Sequence, residues 1–403
     1  MIAAPESTAD QATGDMKSQK TGLRVAIVGP DDFSLWQPRR GLIRYLLEQN
    51  CEVWAVSTPG DYVTKIESLG ASHHQVDMAR RFNPIDDLKF TFQLFRFFRR
   101  HRFDVVHNLT TKPNIFGVFA AWFARVKHIV MSVEGLGQVF GEAQGIKMKI
   151  LKPALRKLYK LACAMATRTR FMNPDDEQFF VENKLVKPEK SILIVGEGVN
   201  LAEYSRDLLD GKAIESVRQR AGGSAGTKYV TMITRALWSK GVREFIEASK
   251  IVGERRDNVK FILIGPIDAG SNGVPKSYLD ENETETFKYL GFVDDLRDAF
   301  AMSEVVVLPS YTREGVPNCL IEAMALGVPI VTTDNVGCRE CVNDGETGYL
   351  VPVRDSKSLA EAIDKIVSND ELSRRFGEAS RQKVEDDFNE RRVFERLYNE
   401  TYQ

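Results

Sequence analysis

Glu314 and Glu322 lie eight positions apart in the stretch SYTREGVPNCLIEAMALGVPIVTTDNVGCRECVNDGETGYL, residues 310–350. Their surroundings predict two different settings. Pro317 fits the first turn of a helix, where its missing N–H costs nothing, so Glu314 belongs to the preceding loop and Glu322 to the helix. Leu320, Ile321, Met324 and Ala325 recur at helical intervals until Gly327 and Pro329 end the pattern. Ahead of them, Val305 to Leu308 is an apolar run of the kind that fills a parallel strand buried on both faces. Strand, loop and helix in that order make half of a nucleotide site. The free N–H groups of residues 315–319, Pro317 excepted, and the helix dipole favour an anion such as a diphosphate. Glu314 is then placed to accept bonds from sugar hydroxyls and Glu322 from a ribose diol. Two solvated surface carboxylates are the alternative that spacing alone leaves open.

Two cations on a similar strand-to-helix loop stand earlier in the chain. In Thr234-Arg235-Ala-Leu-Trp-Ser-Lys240-Gly241, a loop from a strand end to a helix carries Arg235 and Lys240 five positions apart. Converging on a diphosphate, each charged hydrogen bond would contribute about 1.5–3 kcal/mol once water is excluded. Taken alone, they read equally well as surface cations lying along apolar ground. Upstream, His107 closes an Asp-Val-Val-His run at a strand end, and Glu134-Gly135 follows Ser132-Val133. A lone His in that place is commonly a structural hydrogen-bonding group. Glu134 is a base, an acceptor-hydroxyl ligand or a loop carboxylate in water.

These groups need a frame. At 403 residues the chain exceeds one typical domain. Strands are expected at 24–29, 53–57, 105–107, 129–133 and 170–172. A second series covers 229–233, 261–265, 305–308 and 329–332, with helical stretches between strands throughout. That alternation predicts two parallel, doubly wound sheets, with the chain crossing near Gly196 to Asn200. Ligands of such sheets sit beyond the carboxyl ends of the strands, so two facing domains would enclose a cleft. The expected division is a disordered tail over 1–22, a first domain over 23–195, a second over 196–380, and a helix over 381–403 packing back on the first.

Charge is balanced, 55 basic against 56 acidic side chains, which argues against bulk nucleic-acid binding. The polar opening residues carry no apolar core of a signal or spanning helix, and the apolar run 115–123 falls short of the roughly 20 residues that cross a bilayer. Five scattered cysteines are expected as reduced cytoplasmic thiols. Cys338 and Cys341 have CxxC spacing, with no second pair or His to complete a metal site. Two regions are conspicuously basic, 95–102 and 146–170, the second with an apolar stripe of Met148, Leu151, Leu155, Leu158 and Ala162, and with Pro153 expected to kink or restart its helix. The stripe is domain core, or the region rests on anionic lipid, each cation contributing about 1 kcal/mol near the membrane.

The pair Glu314 and Glu322, with EGVPNCLIEAMALGVPIVTTDNVGCRE and the following NDGETGYLVPVRD, resembles the Glu-x7-Glu signature of retaining GT-B glycosyltransferases of family four. Arg235 and Lys240 resemble that family's Gly-Arg-Leu…Lys-Gly element, Thr234 standing where the family has Gly. The resemblance implies an α/β protein of the GT-B fold, two Rossmann-like domains facing across a cleft. It further implies a UDP-sugar co-substrate, no metal or other cofactor, and transfer of an N-acetylhexosamine or hexose to a polyprenyl-diphosphate-linked glycan on the inner face of the cell membrane. The donor would be held by Arg235, Lys240, Val293, Gly315, Val316, Pro317, Asn318 and Glu322. Catalysis would rest on Glu314, Arg235, Lys240 and His107. The acceptor side would comprise Gly29, Lys112, Glu134 and Gly135. Asp294 and Asp295 fit the base-reading loop of the family better than an Asp-x-Asp metal site. Many relatives carry a second His two residues beyond His107, where this chain has Leu109. A UDP-sugar 2-epimerase of the same fold, or a silent membrane-bound partner of another transferase, are the alternatives.

Overall fold

Valine- and isoleucine-rich runs separated by amphipathic helices fold into two parallel sheets, in a computed structural model that describes residues 22–79, 82–136, 146–293 and 295–403. The expected tail before Gly22, Gly137 and Asp294 lie outside the described residues, as do the side chains of Lys147, Met148, Lys149 and Leu151.

The first sheet contains Arg24–Asp31 (β1), Glu52–Thr58 (β2), Ser72–Gln75 (β3), Val105–Leu109 (β4), His128–Val133 (β5), Arg168–Phe171 (β6) and Ser191–Leu193 (β7), in the order β3-β2-β1-β4-β5-β6-β7. The second contains Lys228–Ile233 (β8), Val259–Ile264 (β9), Phe287–Gly291 (β10), Ser303–Leu308 (β11), Ile330–Thr333 (β12) and Gly348–Val351 (β13), in the order β10-β9-β8-β11-β12-β13. Every described pairing of these strands is parallel. Strand order reverses between β1 and β4 in one sheet and between β8 and β11 in the other, and a crevice opens at such a point. Loops distant in sequence therefore meet: the one after β8 carries Arg235 and Lys240, and the one after β11 carries Glu314.

Each sheet is sandwiched by helices. One apolar cluster surrounds the second sheet, and two cover the faces of the first. Pro153 lies inside an unbroken helix, Ile146–Met165, instead of dividing it. The expected boundary at 380 is corrected: helix Asp370–Asp387 runs across it, with Phe376, Val384 and Phe388 in the core of the second domain. The return begins at Asn389, which bridges Val199 as the two crossings run side by side. Helix Glu390–Leu397 and the π-turn Tyr398–Tyr402 then bury Val393, Phe394, Leu397 and Tyr402 in the first domain.

Candidate active site

Lys240 ends a short 3-10 turn after β8, and Gly241 beside it has φ +84°. A Cβ on Gly241 would stand 2.2 Å from the Pro309 carbonyl oxygen, so glycine lets the two switch-point loops touch. The Tyr311 N–H donates to the Ser239 carbonyl at 3.0 Å. Held this way, Lys240 Nζ lies 2.6 Å from Glu314 Oε1, and Ser310 Oγ donates to the same oxygen at 2.7 Å. Both partners of the ion pair are largely shielded from water, which strengthens it relative to a surface pair. Ser310 escapes a motif reading because serine before a loop carries no distinguishing spacing.

The helix after Glu314 is Asn318–Ala325, with Pro317 at its N-cap instead of inside its first turn. Gly315 and Val316 complete the approach, and the Asn318 Oδ1 is buried without a partner among the described residues. Glu322 on this helix faces Tyr204, and a polar cavity brings Arg40, Asn200, Glu203, Tyr204, Asn318 and Glu322 together. Burial raises the Glu322 carboxyl above the usual carboxylate range, opposed chiefly by Arg40. Arg40 opens helix Arg40–Glu48 of the first domain and pairs with Glu203 at 3.1 Å, so the cavity lies between domains. Arg235 stands apart: its side chain is 61% exposed and pairs with Asp268 at 3.0 Å. Val293 packs against the second core beside β10.

Across the cleft, the loop after β5 presses Glu134-Gly135 onto Glu314-Gly315. A Cβ on Gly135, whose φ is +102°, would lie 2.9 Å from the Glu314 carbonyl carbon and 2.9 Å from the Gly315 nitrogen. The loop after β6 adds Asn173, which donates to the Glu314 carbonyl at 3.1 Å while capping helix Pro174–Glu182. Two ion pairs flank it: Arg313 donates to the buried Asp176 at 2.7 Å, and Arg339 reaches Asp175 at 3.3 Å. The backbone of Glu314 is thus held by both domains.

Three expected site residues are corrected. His107 is fully buried, with Nδ1 2.7 Å from the Tyr402 hydroxyl and Nε2 2.7 Å from Ser132 Oγ. Both ring nitrogens are occupied, and burial, reinforced by Arg170 and Arg39, holds its pKa well below the usual value. It is a structural tie between β4, β5 and the end of the chain. Lys112 is buried, its Nζ 2.6 Å from Asp87 and 2.6 Å from the Ala79 carbonyl; its charge fixes helix Pro84–His101 instead of meeting an acceptor. Gly29 lies within β1, where a Cβ would come 2.7 Å from the Leu35 side chain, so its smallness serves packing.

Two facing parallel-sheet domains, with a cation and a carboxylate at the switch point of the second, define a GT-B architecture. Residues 214–383 match the model of glycosyl transferases group 1, and residues 37–194 match that of the glycosyl transferase 4-like domain. The chain thus carries a glycosyl transferase 4-like domain followed by a glycosyl transferases group 1 domain. It is 28% identical over 351 residues to the N,N'-diacetylbacillosaminyl-diphospho-undecaprenol alpha-1,3-N-acetylgalactosaminyltransferase of Campylobacter jejuni, covering 87% of this chain and 91% of that protein. With the capsular polysaccharide biosynthesis glycosyltransferase CapM of Staphylococcus aureus it shares 27% identity, covering 89% and 91% of the two chains. The fold of Anabaena HepE, solved in complex with UDP and glucose, superposes with a TM-score of 0.76 at 18% identity, covering 94% of this chain and 99% of that one.

Proposed function

We propose that this glycosyltransferase moves an N-acetylhexosamine or hexose from a UDP-sugar to a hydroxyl of a polyprenyl-diphosphate-linked glycan, with retained anomeric configuration. The observation that carries the reading is the Lys240–Glu314–Ser310 cluster lying directly beneath Glu134-Gly135 of the opposite domain. The Campylobacter relative, whose name specifies an undecaprenyl-diphosphate-linked substrate, supports the acceptor class. In the proposed step the bond from the anomeric carbon to the diphosphate oxygen breaks as the acceptor oxygen bonds that carbon from the same face. The acceptor proton passes to the departing phosphate oxygen. Lys240 and the N–H groups opening helix Asn318–Ala325 meet the growing negative charge, which is electrostatic preorganisation, and Arg235 joins them by exchanging Asp268 for the phosphate. No metal is required, because these groups supply the positive charge. Glu314 orients the donor sugar, Glu322 takes the ribose diol, and Glu134 accepts a hydrogen bond from the incoming hydroxyl. A panel of nucleotide sugars, assayed with lipid-linked acceptors for released nucleotide, product mass and anomeric configuration by NMR, tests all of this. Release of UDP with isomerised sugar in the absence of any acceptor would instead identify an epimerase.

The proposal extends to peripheral contact with the membrane that holds such an acceptor. Among the described residues no helix is long and apolar enough to cross a membrane. Helix Pro84–His101 leaves Ile85, Leu88 and Phe92 exposed, its neighbour Val118–Phe123 exposes Trp122 and Phe123, and helix Ile146–Met165, packed next, exposes Leu161. Arg96, Arg99, Arg100, Arg156, Lys157 and Lys160 are exposed on the same helices. The basic regions contribute unevenly: Phe97, Phe98, Leu155, Tyr159, Ala162 and Arg170 are buried, so the lipid-facing apolar groups start upstream of 95. Vesicles containing anionic phosphatidylglycerol should float the protein at low salt, and Phe92→Ala with Trp122→Ala should weaken this. Absence of binding to anionic vesicles at low salt would refute the membrane contact.

A further inference from the structure

Behind Glu134 runs a chain of buried charges that the transfer step does not use directly. Arg39, the N-cap residue of helix Arg40–Glu48, places Nη2 2.5 Å from Glu134 Oε1 and 3.1 Å from Glu197 Oε1. Arg170 on β6 places Nη1 3.2 Å from Glu197 Oε1 and donates to the Gly196 carbonyl. Two cations and two anions from four separate segments thus form one line. Three of the four side chains are 3% exposed or less, while Glu134 at the cleft end is 23% exposed. Apolar side chains of similar volume commonly stabilise a fold at least as well as buried ion pairs do, so stability alone does not account for the line. Its geometry does: one end is locked under the interdomain crossing, and the other presents a single oriented carboxylate to the cleft.

We propose that Arg39 is a positioning residue of the transfer reaction, holding Glu134 aimed at the incoming acceptor hydroxyl, with Glu197 and Arg170 fixing Arg39 from behind. This rests on the reading of Glu134 as an acceptor-side group. The guanidinium suits the task because its planar fork can touch two carboxylates at once, which an ammonium on a flexible stem does less well. Among the described residues, the charged or titratable groups facing Glu134 are Arg39, Glu197, Arg170 and Tyr159. Burial raises the Glu134 carboxyl above the usual carboxylate range, and Arg39 is the largest influence pulling it back. The sign follows. An ionised Glu134 is lost as pH falls through its pKa, so transfer declines on the acid side; without Arg39 that pKa is higher, and the decline begins at higher pH.

The test compares pH profiles of kcat/KM for the acceptor among the wild type, Glu134→Gln, Arg39→Gln, Glu197→Gln, and the double variant Arg39→Gln with Glu197→Gln. The double variant removes one charge of each sign and so leaves no net unpaired charge in the interior, which keeps a folded protein in the comparison should the single variant fail to fold. Loss of Arg39 is expected to move the acid limb upward by about one pH unit, a tenfold lower rate on that side, with UDP affinity unchanged. Because Glu197 itself raises the Glu134 carboxyl, the double variant is read against Glu197→Gln alone, and coincident acid limbs in those two overturn the role of Arg39. Normal transfer by Glu134→Gln overturns the underlying reading of Glu134 instead, so the two failures are distinguishable.

Discussion

Replacing Lys240 with alanine should lower transfer by about two to three orders of magnitude, the range seen when one preorganised group facing developing charge is removed. In the proposed step Lys240 meets the charge on the leaving diphosphate, and its Nζ lies 2.6 Å from Glu314 Oε1. Its loss also strands a shielded carboxylate whose remaining partner is Ser310 Oγ at 2.7 Å. Glu314→Gln keeps a hydrogen-bonding group at that position and should lower transfer on the same scale, because the cation it orients then loses its partner. The two changes share one pair, so the double variant should fall much less than the product of the single effects. Steady-state kinetics with a UDP-sugar and a lipid-linked acceptor, alongside circular dichroism to confirm folding, measures this. Near-normal turnover in either single variant would remove the pair from the chemistry.

Gly135→Ala should also cost transfer about 10²-fold, the scale of an approximately 1 Å misplacement at a reacting centre. The added Cβ would lie 2.9 Å from backbone atoms of Glu314 and Gly315, which have no flexible end to swing aside, and φ +102° strains any side chain. The clash falls between domains, so each domain keeps its own core and the cleft closes incorrectly. Thermal unfolding should change little and UDP affinity should persist, while kcat falls. Retained kcat would mean that the two loops part during the reaction.

Much of this site could be read from residue spacing. Val305 to Leu308 announced β11 because a strand buried on both faces must be continuously apolar, and Glu314 and Lys240 stood out because their loops keep family spacing. The edge strand Ser72–Gln75 did not, since Ser-His-His-Gln offers no apolar face and its pairing is supplied by β2. His107 misled for a physical reason: its partner Tyr402 lies 295 positions away, and no local pattern reveals whether a strand-end imidazole meets a substrate or a phenol. The line Glu134, Arg39, Glu197 and Arg170 was invisible in the same way. An arginine within β6, flanked by Thr169 and Phe171, is the one local sign that a strand position holds a buried cation, and it falls inside the basic region 146–170. Length and polarity identify exposed helices well, but partnership between buried charges is set by tertiary packing.

The seam between Tyr402 and β4 has a bearing on biogenesis. Val393, Phe394, Leu397 and Tyr402 fill part of the first domain's interior, and the nascent chain delivers them only after the second domain. Domains generally form in the order of synthesis, yet here part of the first domain's interior is supplied by residues that follow the entire second domain in the chain.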